Sequence, residues 1–322
     1  MSSERLATNC GPITFQNPVL AASGTFGYGS EFEHFFPVAS LGGFVTKTLF
    51  VEPRDGNPTP RVAETSTGMI NSIGLANVGW EAFVREKVPD LKPIVGAAKM
   101  LVNIAGNSPD EYRAIAARVE GDRERVGCAG IEVNVSCPNV KEGGTNIGCD
   151  RDQFQAAVRA VREETSLPVF VKLSPNVADV VPFAGCAMDE GADGVSLINT
   201  LYGMQIDVEK RRPVLGTGSG GLSGPAILPI GVYWTYKVRA AFPDLPILGI
   251  GGIATWRDAL QYLLAGAQAI QVGTAAFVNP LACVEIIAGL ERYCSQRETT
   301  ISEISGAAHR EGRLAEPAVW TG

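Results

Sequence analysis

The chain has 322 residues, 45% of them hydrophobic, and a formal net charge of −7. This acidic balance argues against nucleic acid or an anionic membrane surface as a partner. No segment approaches ~18 consecutive apolar residues, and the polar start Met1–Arg5 lacks the apolar core of a signal peptide, so we expect a cytoplasmic protein with no membrane association. The length suits one (β/α)8 barrel with insertions.

Eight mostly apolar, β-like runs follow one another along the chain. Amphipathic helical segments separate most of them, and this alternation predicts a parallel sheet with helices outside it. Eight repeats favour a closed (β/α)8 TIM barrel over an open doubly wound sheet. We expect one catalytic domain over residues 1–306 and a tail of unknown role over 307–322. The runs are 18–24, 43–48, 100–105, 130–136, 169–174, 194–199, 247–251 and 269–274.

The clearest helix start is Ser108-Pro109-Asp110-Glu111, a capping box with proline at the first helical position. The helix that follows has apolar residues on one face, namely Tyr112, Ile115, Ala116 and Val119. Four further segments have the same amphipathic pattern: 153–165, 179–190, 226–241 and 256–265.

Three connections are unusually long: Leu49 to Val78, Cys137 to Asp150 and Thr200 to Leu222. All three follow the carboxyl ends of predicted strands, where barrel enzymes build their active sites. Tolerated surface insertions would not explain why all of them fall on one rim. We therefore predict that these connections are functional loops.

Cysteine and histidine usage limits the metal chemistry. The seven cysteines, at positions 10, 128, 137, 149, 186, 283 and 294, form no C-x-x-C pair. Neither a zinc site nor a self-contained iron–sulfur cluster is indicated. His34 and His309 are the only histidines, and neither lies in a motif. We predict no metal site.

One cysteine stands apart from the others. The fourth strand-like run carries Asn134 close to its end, and Pro138 stops the strand just after Cys137. A lone cysteine is more often a small core residue than a reactive one. Here, however, the thiol lies at a strand end and is followed at once by the glycine-containing loop 140–146. This position favours acid–base or covalent chemistry.

The predicted strand ends carry an unusual number of polar side chains. A carboxamide presents a donor beside an acceptor, which matches the N–H/C=O edge of a cyclic imide or pyrimidine dione. Lys47 and Lys172 are embedded in apolar strands, where a cation is expected to face a bound anion. The polar set is Ser23, Lys47, Asn103, Asn134, Lys172, Asn199 and Thr200, with Asn71 in the first long connection.

Glycines at the ends of the last two strands predict a phosphate site, around Gly251, Gly252, Gly273 and Thr274. Two sequences imitate dinucleotide motifs. Gly216–Gly221 spells G-x-G-x-x-G but follows no clear strand. Gly249–Ala254 follows a strand, but residues 269–276 lack the acidic residue that a Rossmann motif requires. We therefore predict a mononucleotide.

Several motifs resemble those of the class 1 dihydroorotate dehydrogenases, and the resemblance extends in order over residues 8–306. Asn57–Arg61 and Arg212–Leu215 favour class 1B, a catalytic subunit that works with an electron-transfer partner. The serine base and N-terminal extension of class 2 are missing, as are the cysteine clusters of the pyrimidine dehydrogenases. The motifs that carry the resemblance are Ala22–Gly29, Asn57–Arg61, Met69–Leu75, Asn134–Asn139, Asn199–Met204 and Gly220–Gly224.

This resemblance implies FMN as the cofactor and dihydroorotate as the substrate. Cys137 would remove the C5 proton while hydride leaves C6 for the flavin, and Lys172 would stabilise negative charge on the reduced flavin. The FMN ligands would be Ser23, Lys47, Thr48, Asn103, Asn134, Lys172, Ile198, Gly224, Gly251, Gly252, Gly273 and Thr274. Dihydroorotate would contact Lys47, Asn71, Ser72, Ile73, Gly74, Leu75, Asn134, Asn199 and Thr200.

The class 1B resemblance also implies partners: an FAD/[2Fe–2S] subunit that passes electrons to NAD, and a homodimer core within a heterotetramer. Three alternatives stay open. The chain could be a class 1A enzyme that reduces fumarate, or a barrel lyase or isomerase with Lys172 as a Schiff base. A non-enzymatic nucleotide-binding barrel is the third, but it leaves Cys137 and the long connections unexplained.

Overall fold

The computed structural model describes residues 4–136 and 147–310. In this part of the chain the strands, numbered in chain order, are β1 Thr8–Cys10, β2 Ile13–Phe15, β3 Val19–Ala21, β4 Gly43–Val45, β5 Val62–Thr65, β6 Gly68–Asn71, β7 Lys99–Ile104, β8 Gly130–Asn134, β9 Val169–Lys172, β10 Gly194–Leu197, β11 Leu201–Gly203, β12 Ile206–Asp207, β13 Arg212–Pro213, β14 Gly220–Ser223, β15 Ile247–Ile250 and β16 Ala269–Val272.

Eight of these strands form a closed parallel barrel in the order β3-β4-β7-β8-β9-β10-β15-β16, with β16 pairing back onto β3. Each barrel strand falls on one of the eight predicted runs, in the predicted order. The (β/α)8 fold class is therefore confirmed.

The helices lie between the barrel strands and after the last of them, β16. They are α1 Trp80–Ala82, α2 Val88–Val95, α3 Pro109–Gly121, α4 Arg123–Val126, α5 Arg151–Glu164, α6 Val181–Asp189, α7 Leu228–Ala241, α8 Trp256–Ala265, α9 Ala275–Val278, α10 Ala282–Gln296 and α11 Ile301–Ile304. A π-helical segment, Phe83–Lys87, joins α1 to α2. Short 3-10 segments cover Ser30–Phe32, Val38–Ser40, Ile147–Cys149, Pro225–Ile227 and Ala307–His309.

The predicted helices agree with α3, α5, α6, α7 and α8 to within a few residues, and the four predicted apolar residues of α3 are buried. The capping box is only half formed. Ser108 accepts from the Glu111 backbone N–H at 3.3 Å, but the Glu111 carboxylate accepts from the backbone and side-chain N–H groups of Asn107. Asn107 offers two donors, so it competes with the single N–H of Ser108.

A hairpin of β1 and β2 closes the amino-terminal end of the barrel. A Cβ placed on Gly11, at the turn, would lie 3.2 Å from the carbonyl oxygen of Asp193 and 3.3 Å from Pro246 Cγ, just before β10 and β15. The hairpin packs Cys10, Ile13 and Phe15 against interior side chains of six barrel strands. That end of the barrel is therefore filled by apolar side chains, which leaves the carboxyl end for a ligand. The interior residues are Leu20, Val45, Leu101, Phe170, Leu248 and Ala269.

Two of the long connections predicted as loops instead contain a sheet. Strands β11, β14, β6 and β5 form an antiparallel sheet, and β12 pairs with β13. The sheet escaped prediction because its strands have three or four residues and β14 begins with two glycines. Those glycines allow close contact, since a Cβ on Gly220 would lie 2.4 Å from the Asn71 carbonyl oxygen. This packing accounts for Gly216–Gly221 without a dinucleotide. In the third connection, residues 137–146 lie outside the described residues.

The far end of the described chain packs on the barrel. His309 Nε2 lies 2.9 Å from the Ala265 carbonyl oxygen, and its ring stacks on Tyr236. Residues 311–322 of the predicted tail lie outside the described residues. None of the helices in the described ranges has the length and apolar character that crossing a bilayer requires.

Candidate active site

All eight barrel strands bring a predicted site residue to the same end of the barrel. Asn103, Asn134 and Lys172 lie in β7, β8 and β9, and the others follow the ends of their strands. The closed barrel brings these residues, which are spread over 252 positions of the chain, to one rim. The other strand-end residues are Ser23 after β3, Lys47 and Thr48 after β4, Ile198, Asn199 and Thr200 after β10, Gly251 and Gly252 after β15, and Gly273 and Thr274 after β16.

Asn134 is the centre of a hydrogen-bond network on this rim. Its side chain donates to Thr48 Oγ1 at 3.4 Å and accepts from Asn199 Nδ2 at 3.1 Å and from the Ser136 N–H at 3.2 Å. The Tyr112 hydroxyl of α3 donates to the Asn134 carbonyl oxygen at 2.8 Å. The amides of two strands are thus held together, as the matching of an imide edge requires.

Lys172 is buried inside the barrel, as predicted. Its ammonium lies 3.8 Å from Glu132 Oε1, and Glu132 is fully buried. Three neutral side chains donate to the same carboxylate: Asn103 Nδ2 at 2.7 Å, Ser196 Oγ at 2.8 Å and Gln271 Nε2 at 2.6 Å. The predicted cation therefore belongs to a buried polar cluster drawn from five strands.

Glu132, Ser196 and Gln271 were not predicted as site residues from the sequence. A signal was present for Glu132, because a carboxylate stands in the apolar strand Gly130–Asn134 two positions before Asn134, on the same face. The same reasoning that singled out Lys172 applies to it. Ser196 and Gln271 are ordinary strand residues in sequence, and only barrel closure shows that they meet Glu132.

Lys47 is half-buried, and a second cation lies near it. Burial first, and then the Arg61 guanidinium, lower the pKa of Lys47, while the Glu31 carboxylate partly opposes this shift. Arg61 is held by the carbonyl oxygens of Asn57, at 3.2 Å, and Asp55, at 3.3 Å. The sequence prediction included Arg61 only as part of the motif Asn57–Arg61, and the structure places its guanidinium near Lys47, on the cationic side of the site.

The predicted substrate segment, residues 71–75, is held from two sides. Asn57 donates through its backbone to Ile73 and through its side chain to Ser72, both at 3.0 Å. Leu75 has a φ of 55°, which is uncommon for a residue other than glycine. Asn71 Nδ2 lies 3.4 Å from the Gly221 carbonyl oxygen, so it contacts β14. These contacts place the segment between β14 and the Asn57 loop.

The predicted phosphate site gathers backbone from three parts of the chain. Thr274 Oγ1 donates to Ser223 Oγ at 2.7 Å, and a Cβ on Gly224 would lie 3.6 Å from Thr274 Cγ2. Gly251 and Gly252 both have positive φ, 122° and 72°, which glycine adopts without strain. Sequence order alone would not place residues 223 and 224 beside the last barrel strand.

Comparison with known proteins decides the family. Residues 5–294 match the family model described as "Dihydroorotate dehydrogenase". The chain belongs to the dihydroorotate dehydrogenase family.

The similar proteins cover almost the whole chain. A protein of Geobacter sp. (strain M21) is 50% identical over 296 residues, which is 92% of this chain and 95% of that protein. A protein of Desulforudis audaxviator is 50% identical over 301 residues, covering 93% and 96%, and one of Geobacter sulfurreducens is 48% identical over 308 residues, covering 95% and 99%. All three are named "Dihydroorotate dehydrogenase B (NAD(+)), catalytic subunit". The resemblance predicted from the motifs, including its class, is confirmed.

In this member of the dihydroorotate dehydrogenase family, the predicted base Cys137 lies outside the described residues, directly after Ser136. Several other cysteines behave as core residues. Burial raises the pKa of the Cys283 thiol to about 12 and that of Cys128 to about 11. Such thiols are protonated near neutral pH and are poor bases. The described ranges contain no cluster of three or more His, Cys, Asp or Glu that is able to hold a metal ion.

Proposed function

We propose that this chain oxidises dihydroorotate to orotate, with FMN and substrate both bound at the carboxyl end of the barrel. The observation that carries the proposal is the rim of polar side chains and glycines, to which all eight strands contribute. Family membership supports the assignment of this reaction to the rim, because the motifs that define the resemblance are the segments that meet there.

The rim suits a flavin in two respects. Asn103 Oδ1 and Gln271 Oε1 are buried and have no hydrogen-bond partner among the described residues, although buried polar atoms are nearly always paired. A ligand with N–H groups would satisfy such acceptors. A Cβ on Gly24 would meet no atom within 4 Å, and one on Gly273 would meet none closer than 3.7 Å, so a ligand has room against the backbone there.

We assign the FMN phosphate to the backbone around Gly251, Gly252, Gly273 and Thr274, where glycines permit close approach. The bound flavin would supply a two-electron acceptor for the hydride. The other FMN ligands are Ser23, Lys47, Thr48, Asn103, Asn134, Lys172, Ile198 and Gly224.

The substrate is assigned to the side of the rim that carries the amides and the two outer cations. Asn134 and Asn199 are already hydrogen-bonded to each other, so their remaining donor and acceptor positions are oriented for an imide edge. Lys47 and Arg61 would bind the carboxylate. The remaining contacts are Asn71, Ser72, Ile73, Gly74, Leu75 and Thr200.

Cys137 is proposed as the base that takes the C5 proton. Lys172 holds positive charge where reduction adds negative charge. A barrel that uses Lys172 as a Schiff base is disfavoured by the geometry, because the Lys172 ammonium is paired with the Glu132 carboxylate inside the barrel.

The purified chain itself tests the proposal. We expect a yellow protein with one FMN released per chain on denaturation, and anaerobic addition of dihydroorotate should bleach its flavin absorption. A colourless chain that gains no absorption when FMN is added, or a flavin that dihydroorotate does not bleach, would contradict the proposal.

Replacement of Lys47 by alanine should weaken orotate binding by roughly 10–100-fold, which corresponds to the loss of one charge-assisted hydrogen bond. Titration of the flavin absorption with orotate measures this affinity. In the unsubstituted chain, orotate affinity should fall as pH rises through the pKa of Lys47, because the neutral amine no longer pairs with a carboxylate. Since that pKa is lowered, the loss should begin at a lower pH than for a solvent-exposed lysine.

Lys99→Ala is the matched control, because Lys99 begins β7 at the opposite end of the barrel. It should leave orotate affinity and its pH profile unchanged. Equal orotate affinity in the Lys47→Ala chain and its parent would remove Lys47 from the substrate site.

We also propose that the chain works with an FAD/[2Fe–2S] subunit and forms a homodimer core within a heterotetramer. Two sets of exposed apolar side chains support subunit contacts. One is the alternating series Tyr202, Met204, Ile206 and Val208 along residues 201–208, which include β11 and β12, and the other is Phe277, Val278 and Leu281 after β16. Exposed apolar patches of this kind are typical of protein–protein interfaces. The second set lies close to the proposed phosphate site.

A further inference from the structure

A buried carboxylate lies beneath the proposed cofactor site. Glu132 is fully buried, and its two oxygens accept from three neutral donors contributed by β7, β10 and β16. Its only cationic neighbour among the described residues is Lys172, at 3.8 Å. Strands β8 and β16 are not adjacent, so the cluster crosses the barrel interior.

The carboxylate determines the orientation of both amides. An ionised carboxylate only accepts hydrogen bonds, so Asn103 and Gln271 must turn their NH₂ groups toward it. Their carbonyl oxygens then point elsewhere, and both are among the buried side-chain atoms of the described residues that have no hydrogen-bond partner. A neutral glutamine at position 132 would carry a donor of its own and would no longer impose this orientation.

The carboxylate also offsets the charge of Lys172. A buried ammonium with no counter-charge costs much free energy, and a paired one presents a smaller net charge to its surroundings. Lys172 lies on the rim side of Glu132, since it ends β9 and its ladder partner is Asn134. A ligand at the rim is therefore exposed to the combined charge of Lys172 and Glu132, and not to the charge of Lys172 alone.

We propose that Glu132 is a positioning residue that pairs with Lys172, orients Asn103 and Gln271, and keeps the reduction potential of the bound flavin lower than Lys172 alone would set it. This inference rests on the proposed function and extends it to a residue beneath the site.

The coupling between Glu132 and Lys172 is tested first in the flavin-free chain, by thermal unfolding of Glu132→Gln, Lys172→Met and the double variant. Each single variant leaves one buried charge without its partner, so each should lower Tm by several degrees. The Tm of the double variant should fall by clearly less than the sum of the two single decreases. Additive losses would show that the two side chains are not coupled and would overturn the proposal.

The second test is the midpoint potential of the FMN-loaded chain. Glu132→Gln should shift it to a more positive value by about 30 mV, a tenfold change in the equilibrium constant of a two-electron couple. Ser196→Ala removes one hydrogen bond to Glu132 but no charge, and should leave the potential unchanged.

The outcomes separate this inference from the proposed function. A chain that binds no FMN contradicts the proposed function, while Tm coupling still reports on the pair. If FMN binds and Glu132→Gln leaves the potential unchanged or makes it more negative, only the inference about Glu132 is wrong. A purely structural role would lower Tm and FMN occupancy without moving the potential, and that result also overturns it.

Discussion

Replacing Cys137 with alanine should slow reduction of the bound flavin by dihydroorotate by a factor of roughly 10²–10⁴, the usual contribution of a general base. FMN should stay bound, because Cys137 is not among the residues assigned to it. Stopped-flow bleaching of the flavin absorption measures the rate. A free thiol has a pKa of about 8.5, so the rate should rise with pH as the thiolate forms. Cys137→Ser should keep a little activity that grows at high pH.

Cys149→Ala is the matched control. Cys149 lies in the same long connection, but its thiol is exposed and contacts the Asn176 carbonyl oxygen at 3.6 Å. In the Cys149→Ala chain, dihydroorotate should reduce the bound flavin at the same rate as in the unsubstituted chain. An unchanged rate in Cys137→Ala would mean that another group takes the C5 proton.

The isolated chain should form no NADH from dihydroorotate and NAD, although dihydroorotate should reduce its FMN and an artificial dye should reoxidise it. Both glycine sequences that imitate dinucleotide motifs have packing roles. A Cβ on Gly221 would lie 2.1 Å from Thr200 Oγ1, and one on Gly249 would lie 2.5 Å from the Tyr262 ring. NAD therefore has no evident site among the described residues, and electrons would have to leave through a partner.

Adding an FAD/[2Fe–2S] subunit should restore NADH formation, which is followed by absorbance. The dye reaction of the chain alone is the control that shows the flavin to be competent. Rapid NADH formation by the chain alone would refute the two-subunit proposal. Rapid turnover with fumarate would instead indicate the class 1A reaction.

Much of this site is visible in the sequence because two properties are local. The apolar character of each run and the small or polar residues that end it identified all eight barrel strands. Since the carboxyl ends of parallel strands meet at one rim, the sequence alone groups Asn103, Asn134 and Lys172. Lys172, embedded in an apolar strand, was expected to face a bound anion, and the structure pairs it with the Glu132 carboxylate.

Other features depend on which strands meet across the barrel. Gln271 donates to Glu132, 139 positions earlier in the chain, and nothing near either residue indicates that contact. Arg61 influences Lys47 because β5 and β6 fold back over the rim, in a sheet whose strands are too short to show periodicity.

The sequence by itself determined the barrel, the end at which its polar residues gather, and the family. Only the tertiary structure decided which of those residues touch, which cation is paired, and where the long connections lie. The physical reason is that side-chain periodicity shows which face of a strand is buried, whereas contacts across the barrel depend on how the sheet closes and how its strands are staggered.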